Sequence, residues 1–242
     1  MSQLLDLVRL PNFGLGVAKG QFQNISHVHK FGAVPAMSVN TAGTIWDIND
    51  TLYPWSAFAT AGTLSLTRAS ASDAGKVVTV IGLNATYDQI TENVTLTAAS
   101  GNVTTNSFIR VFRAYMTTGS NVGNIDIIRG ATTVARINAS KSQTLMAVYT
   151  VPAGHSAYLL QGTASCQAGA DATGDMFIRY FGEASFRVGH SFELSGAGGQ
   201  YLHPFQVPIK IPQKSDIDVR ALVRSNNARV TAAFDLLLDK DD

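Results

Sequence analysis

Charge is what this 242-residue chain has least of. Asp, Glu, Lys and Arg make up 14% of it, against roughly 25% in an ordinary soluble domain. Eighteen basic side chains nearly cancel seventeen acidic ones, leaving +1. That balance excludes a chain that binds polyanions through bulk charge, so no nucleic-acid partner is expected. A hydrophobic content of 45% excludes a charged disordered chain. Cysteine is nearly missing: Cys166 stands alone, and no disulfide can form within the chain. Glutamate occurs only as Glu92, Glu183 and Glu193, and no two carboxylates are spaced for glycosidase work. No GxSxG elbow occurs. The first ten residues lack a basic stretch followed by an apolar run, so no secretory signal is expected. The longest uncharged stretch, Ser142 to Ala170, contains Gln143, Pro152, His155 and Gln161 and does not read as a membrane-spanning helix. No membrane partner and no cofactor are expected.

Ser, Thr, Asn, Gln and Gly stand in for the missing charges. A sparse coat of charge over about 10,400 Å² of expected surface fits either a neutral polar exterior or burial against other subunits. The second reading predicts a homo-oligomer, with a trimer favoured if the protein sits on threefold positions of a shell.

The pattern along the chain is that of strands. Residues 1–42 sustain neither a period of 2 nor one of 3.6, and read as an irregular N-terminal arm. The arm carries Leu4, Leu5, Leu7, Leu10, Phe13, Phe22 and Phe31, apolar side chains that need cover and are candidate assembly contacts. From residue 43 to 242, short β-branched runs alternate with turn residues at the spacing of sandwiches and barrels. Ser107–Met116 is apolar on both faces, which predicts a central strand whose second face needs cover, for example from a sister subunit. Arg129-Gly-Ala-Thr132 reads as the turn of a hairpin. Ile217, Val219 and Ala221 share one face of a strand, with Asp218, Arg220 and Leu222 on the other. Val230, Ala232, Phe234, Leu236 and Leu238 share one face of the next strand, and Ser225-Asn-Asn227 is read as the turn joining the two into a hairpin. No convincing amphipathic helix follows residue 43, and no fixed repeat argues for a propeller or solenoid. The fold class expected is all-β: an antiparallel β-sandwich of jelly-roll type, with room for two stacked β-subdomains.

Chemical motifs are sparse. Gly14-Leu-Gly16-Val-Ala-Lys-Gly20 lacks the strand before it and the Gly-Lys-Ser/Thr ending of a phosphate loop. His27 and His29 have the spacing of a two-histidine metal site but no third ligand nearby in sequence, so backbone or water contacts are the reading. Asp47, Asn49 and Asp50 do not follow the order of a calcium loop. Arg110, Arg113, Arg129 and Arg136 scatter over strand faces. No catalytic, metal or cofactor residue is assigned. Trp46, Tyr53, Trp55 and Phe58 crowd thirteen residues and include both tryptophans. They read as an aromatic latch that plugs the arm onto the sandwich, against the alternative of a stacking platform for sugars.

Three segments resemble virion structural proteins of tailed bacteriophages, especially phages of aquatic bacteria. They are Gly43-Thr-Ile-Trp-Asp-Ile-Asn-Asp-Thr-Leu-Tyr-Pro-Trp55, Gln143-Thr-Leu-Met-Ala-Val-Tyr-Thr-Val-Pro-Ala-Gly154 and Pro208-Ile-Lys-Ile-Pro-Gln-Lys-Ser-Asp-Ile-Asp-Val-Arg-Ala221. The resemblance spans most of residues 43–242 and covers the arm poorly. It implies a β-rich accessory protein of the virion, made in the host cytoplasm, and carries no functional residue with it. The expectation is a non-enzymatic capsid decoration or cement protein that contacts the major capsid protein. The alternative is a tail, neck or fibre component with a receptor- or carbohydrate-binding role; a carbohydrate-active enzyme is a third reading.

Overall fold

The computed structural model describes residues 13–196 and 199–241. Among the described residues sixteen strands form four sheets, and every ladder between them is antiparallel. The first sheet runs β1 (Ile25–Met37), β16 (Ala228–Lys240), β11 (His155–Cys166), β14 (Gln200–Ile211). The second runs β10 (Val148–Thr150), β15 (Asp216–Val223), β12 (Ala172–Arg179), β13 (Arg187–Leu194), with β2 (Ala42–Thr44) also on β15. The third runs β6 (Asn102–Val103), β3 (Ser65–Arg68), β8 (Ile125–Arg129), β9 (Thr132–Ile137). The fourth runs β5 (Gln89–Thr95), β4 (Val77–Leu83), β7 (Arg110–Met116).

The four sheets share two hydrophobic cores. Val34, Leu159, Ile178, Val219, Phe234 and Leu236 belong to the first, between the first two sheets. Leu66, Val80, Val94, Val111, Ile125 and Ile137 belong to the second, between the other two. Period-2 patterning builds both. In β12, Ala172, Gly174, Met176 and Ile178 are buried and alternate with half-buried residues. In β16 the inward set is Val230, Ala232, Phe234, Leu236 and Leu238, the set the alternation singles out.

Three expectations need correction. The irregular arm ends well before residue 42. After a short helix, α1 (Phe13–Ala18), β1 pairs with β16 from Ile25↔Asp239 to Met37↔Ala228. Its inward positions are Val28, Lys30, Gly32 and Val34, and a lysine and a glycine among four erase the apolar period. Gly32 is required there: a Cβ would lie 2.2 Å from the Ile45 carbonyl oxygen and 2.4 Å from the Ala147 nitrogen. Next, β15 and β16 are not a hairpin. They lie in different sheets, and the segment around Ser225–Asn227 crosses from one side of the first core to the other.

Finally, β7 needs no sister subunit for cover. Ile109 and Phe112 enter the first core while Phe108, Val111, Ala114 and Met116 enter the second. Strict alternation along Ser107–Met116 would put Phe108 and Phe112 on one face; they fall on opposite faces because a bulge opposite Ile81/Gly82 inserts a residue and flips the parity. Gly82 makes room for it, since a Cβ there would sit 2.0 Å from the Arg110 carbonyl oxygen. The β8–β9 hairpin forms as the sequence predicts, with Gly130 in the left-handed region at φ 61°.

Candidate functional site

The densest chemistry lies where the two cores meet. Period 2 in β15 sends Ile217, Val219 and Ala221 into the first core and Asp216, Asp218 and Arg220 to the opposite face. There they meet Arg179 from β12, Arg110 from β7 and Trp55 from the 3-10 turn Trp55–Phe58. The Asp216 carboxylate accepts Arg110 Nε at 2.8 Å and Arg110 Nη2 at 3.0 Å, a bidentate pair. It also accepts Arg179 Nε at 3.1 Å and Thr150 Oγ1 at 2.6 Å. Asp218 accepts Thr44 Oγ1 at 2.8 Å, Trp55 Nε1 at 3.0 Å and Arg220 Nε at 2.9 Å. Both carboxylates are buried, and donors fill their lone-pair directions.

Above the carboxylates the cations and rings alternate. Arg220 lies 4.3 Å from the Phe177 ring centre and 5.0 Å from Phe186. Arg179 lies between Phe186, at 4.6 Å, and Trp55, at 5.6 Å. Arg110 lies between Trp55, at 5.5 Å, and Tyr87, at 5.6 Å. Lys214 closes the row between Tyr87, at 5.8 Å, and the exposed Phe181, at 5.1 Å. Each contact sits within the roughly 6 Å range of a cation over a ring face. Burial draws the Arg110 pKa down, but the hydrogen bonds and charge of Asp216 outweigh it and hold the guanidinium above its ordinary value.

The aromatic residues singled out by the sequence fall into this junction. Trp46 and Tyr53 meet edge to face at 5.2 Å, Tyr53 and Trp55 at 4.7 Å, and Tyr53 and Phe58 stack at 6.3 Å. Trp46, Tyr53 and Phe58 are buried in the second core. The Tyr53 hydroxyl donates to the Val111 carbonyl at 2.9 Å, and burial raises its pKa above the ordinary tyrosine range. A second link lies beside it. Lys30 of β1 is buried and donates from Nζ to the Phe112 carbonyl of β7. Asp47 accepts from the Leu145 backbone at 2.6 Å and from Asn138 Nδ2 at 3.3 Å. Burial lowers Lys30 to about 7 and raises Asp47 to about 7.

The other candidates separate. Leu4, Leu5, Leu7 and Leu10 lie outside the described residues. Phe13 and Phe22 pack on each other at 5.1 Å, and Phe31 stacks on His29 at 5.6 Å. His27 and His29 both lean on Asp235 Oδ1, at 2.9 and 2.7 Å, and Gln161 holds the other oxygen at 2.6 Å. Asn49 takes the Ala36 amide and Asp50 the Ser38 amide and hydroxyl, so these oxygens do not converge with those of Asp47. Among the described residues no group of three His, Cys, Asp or Glu is arranged to hold a metal. Cys166 is buried, and burial pushes its thiol up. Among the described residues no helix is long and apolar enough to cross a membrane.

Sequence reasoning missed the row of cations and rings. Its members come from five separate stretches of chain, and only the Asp216-x-Asp218-x-Arg220 alternation, charged on one side of a strand, marked the place.

No protein-family model matches the chain, and no curated protein matches it. Two solved viral structures overlap it. Infectious bursal virus derived T=1 particles share 9% identity over 90% of this chain and 74% of that chain, with a TM-score of 0.20. The infectious bursal disease virus Gx strain shares 10% over 90% of this chain and 77% of that chain, with a TM-score of 0.18. Overlap at these scores carries no argument about this chain.

Proposed function

We propose that this chain is a non-enzymatic structural component of a tailed-phage virion, most simply a decoration or cement protein of the capsid. The observation that carries the reading is the junction. Its two buried carboxylates are saturated by arginine, tryptophan and threonine donors, which spends them on joining two cores rather than on reacting groups. A β-protein built as two stacked jelly-roll-type sandwiches, joined this firmly and carrying little charge, suits repeated protein–protein contact. The resemblance of most of residues 43–242 to phage virion proteins supports the same location. The major capsid protein is the proposed partner, with copies of this chain forming a closed oligomer.

A tail, neck or fibre role is the second reading. It is favoured by an open trough of about 520 Å³ on the first sheet, walled by Phe31 and Leu202 and floored by Thr163, Thr231 and Ala233. Quantitative mass spectrometry of purified particles separates the two. A copy number that scales with the major capsid protein supports decoration. A few copies per particle support a tail or neck position. Absence from washed particles overturns both.

A further inference from the structure

The open side of the first core is closed by side-chain rings rather than by a strand ladder. There β13, the edge of the second sheet, faces β14, the edge of the first. His190 and Phe192 point inward from β13, and Tyr201, His203 and Phe205 answer from β14. The His190 and His203 ring centres lie 4.6 Å apart. Phe205 meets His190 at 5.2 Å and His203 at 4.7 Å, both edge to face. Tyr201 stacks on Phe192 at 5.4 Å and on His203 at 6.0 Å, and its hydroxyl contacts His190 Nε2.

We infer that this seam is an acid-released closure: His190 and His203 hold β13 against β14 while neutral and drive the two edges apart when protonated. Two half-buried imidazolium ions at this separation repel. Among the described residues no carboxylate lines the gap behind them to offset it. The gap behind the seam is lined by Gly162 and Thr163 of β11, Met176 of β12, Val219 of β15, and Ala232 and Ala233 of β16. Among these and the seam residues themselves, Tyr201 is the titratable group besides the two histidines, and no carboxylate is present. Asp175 of β12 is turned to Ser191 Oγ, which donates to it at 2.5 Å. His190 is drawn below its ordinary value by burial and then by His203. The seam is therefore complete above the ordinary histidine range and is lost as pH falls through and below it. Release uncovers Phe192, Tyr201 and Phe205 beside the already exposed Val188, Leu202 and Val207.

Hydrogen exchange at pH 7.5 and pH 5.0, corrected for the intrinsic pH dependence of exchange, tests this on the full chain. Peptides covering β13 and β14 should lose at least tenfold in protection at pH 5.0, with β4 and β5 unchanged. His203→Phe keeps a ring in the seam and removes one charge, so its acid response should largely vanish; His190→Phe should behave alike. An equal loss of protection throughout the chain overturns the inference, and so does a full acid response in both folded variants.

Discussion

Lys30 and Asp47 show what burial does to single charges in a sheet protein. Both lie at the junction, and both are drawn toward neutrality mainly by desolvation. The signs follow from linkage. Asp47 is raised from 3.8 to about 7, so its contribution is full below its ordinary range and is lost as pH rises through about 7. Lys30 is lowered from 10.5 to about 7, so its penalty is full below about 7 and fades as pH climbs toward 10.5. Asp47→Asn removes the first slope. In urea unfolding at pH 5 and pH 8, the variant should gain on the order of 1–2 kcal/mol relative to wild type between the two pH values. An unchanged difference would show that Asp47 is charged throughout. Asp216 presents the opposite case, a buried carboxylate that is fully paired. Asp216→Ala leaves Arg110 and Arg179 facing each other without a counter-charge, and should cost about 3–5 kcal/mol in denaturant unfolding. A loss below about 1 kcal/mol, the scale of a surface pair, would mean that water reaches the site.

At the scale of elements, the strands were legible and their partners were not. β16 and β12 show clean alternation because one face of each meets a core and the other does not. β1 hid its period behind Lys30, which reaches the Phe112 carbonyl, and Gly32, which the close passage of the chain near Ile45 and Ala147 requires. The β7 bulge reversed a parity that the sequence shows as continuous. β15 and β16 looked like a hairpin because a turn separates them, yet a turn can as well carry the chain from one sheet to another. Truncation distinguishes arm from strand. Removing residues 1–12 should leave a folded protein, so any assembly role of Leu4, Leu5, Leu7 and Leu10 can be measured on it. Removing 1–42 strips β1 from β16 along its whole register and opens the first core. Circular dichroism and melting should show the shorter deletion close to wild type and the longer one unfolded or aggregated. A stable fold after the longer deletion would show that β1 is an accessory strand.

At the scale of the whole molecule, the aromatic residues Trp46, Tyr53, Trp55 and Phe58 were visible as a group, but what they join was not. Trp46, Tyr53 and Phe58 pack in the second core and Trp55 reaches Asp218 of β15, while the arginines that complete the junction come from β7, β12 and β15. Sequence distance conceals such a site, because its parts come from separate sheets and meet only in the folded chain. Low charge stays as the argument for self-association once the second face of β7 is covered within the chain. Sedimentation at micromolar concentration should show a homo-oligomer, a trimer in the favoured case, and a monomer there would count against a closed ring of copies.

The junction is proposed to make two cores behave as one body, and calorimetry measures that directly. Two cores joined through Asp216, Asp218 and the arginine–aromatic row should melt together, in one transition whose calorimetric and van't Hoff enthalpies agree. Asp216→Ala should split or broaden that transition. Two separate transitions in the wild-type protein would contradict the coupling, and with it the reading of this site as the joint that makes the chain a single structural block.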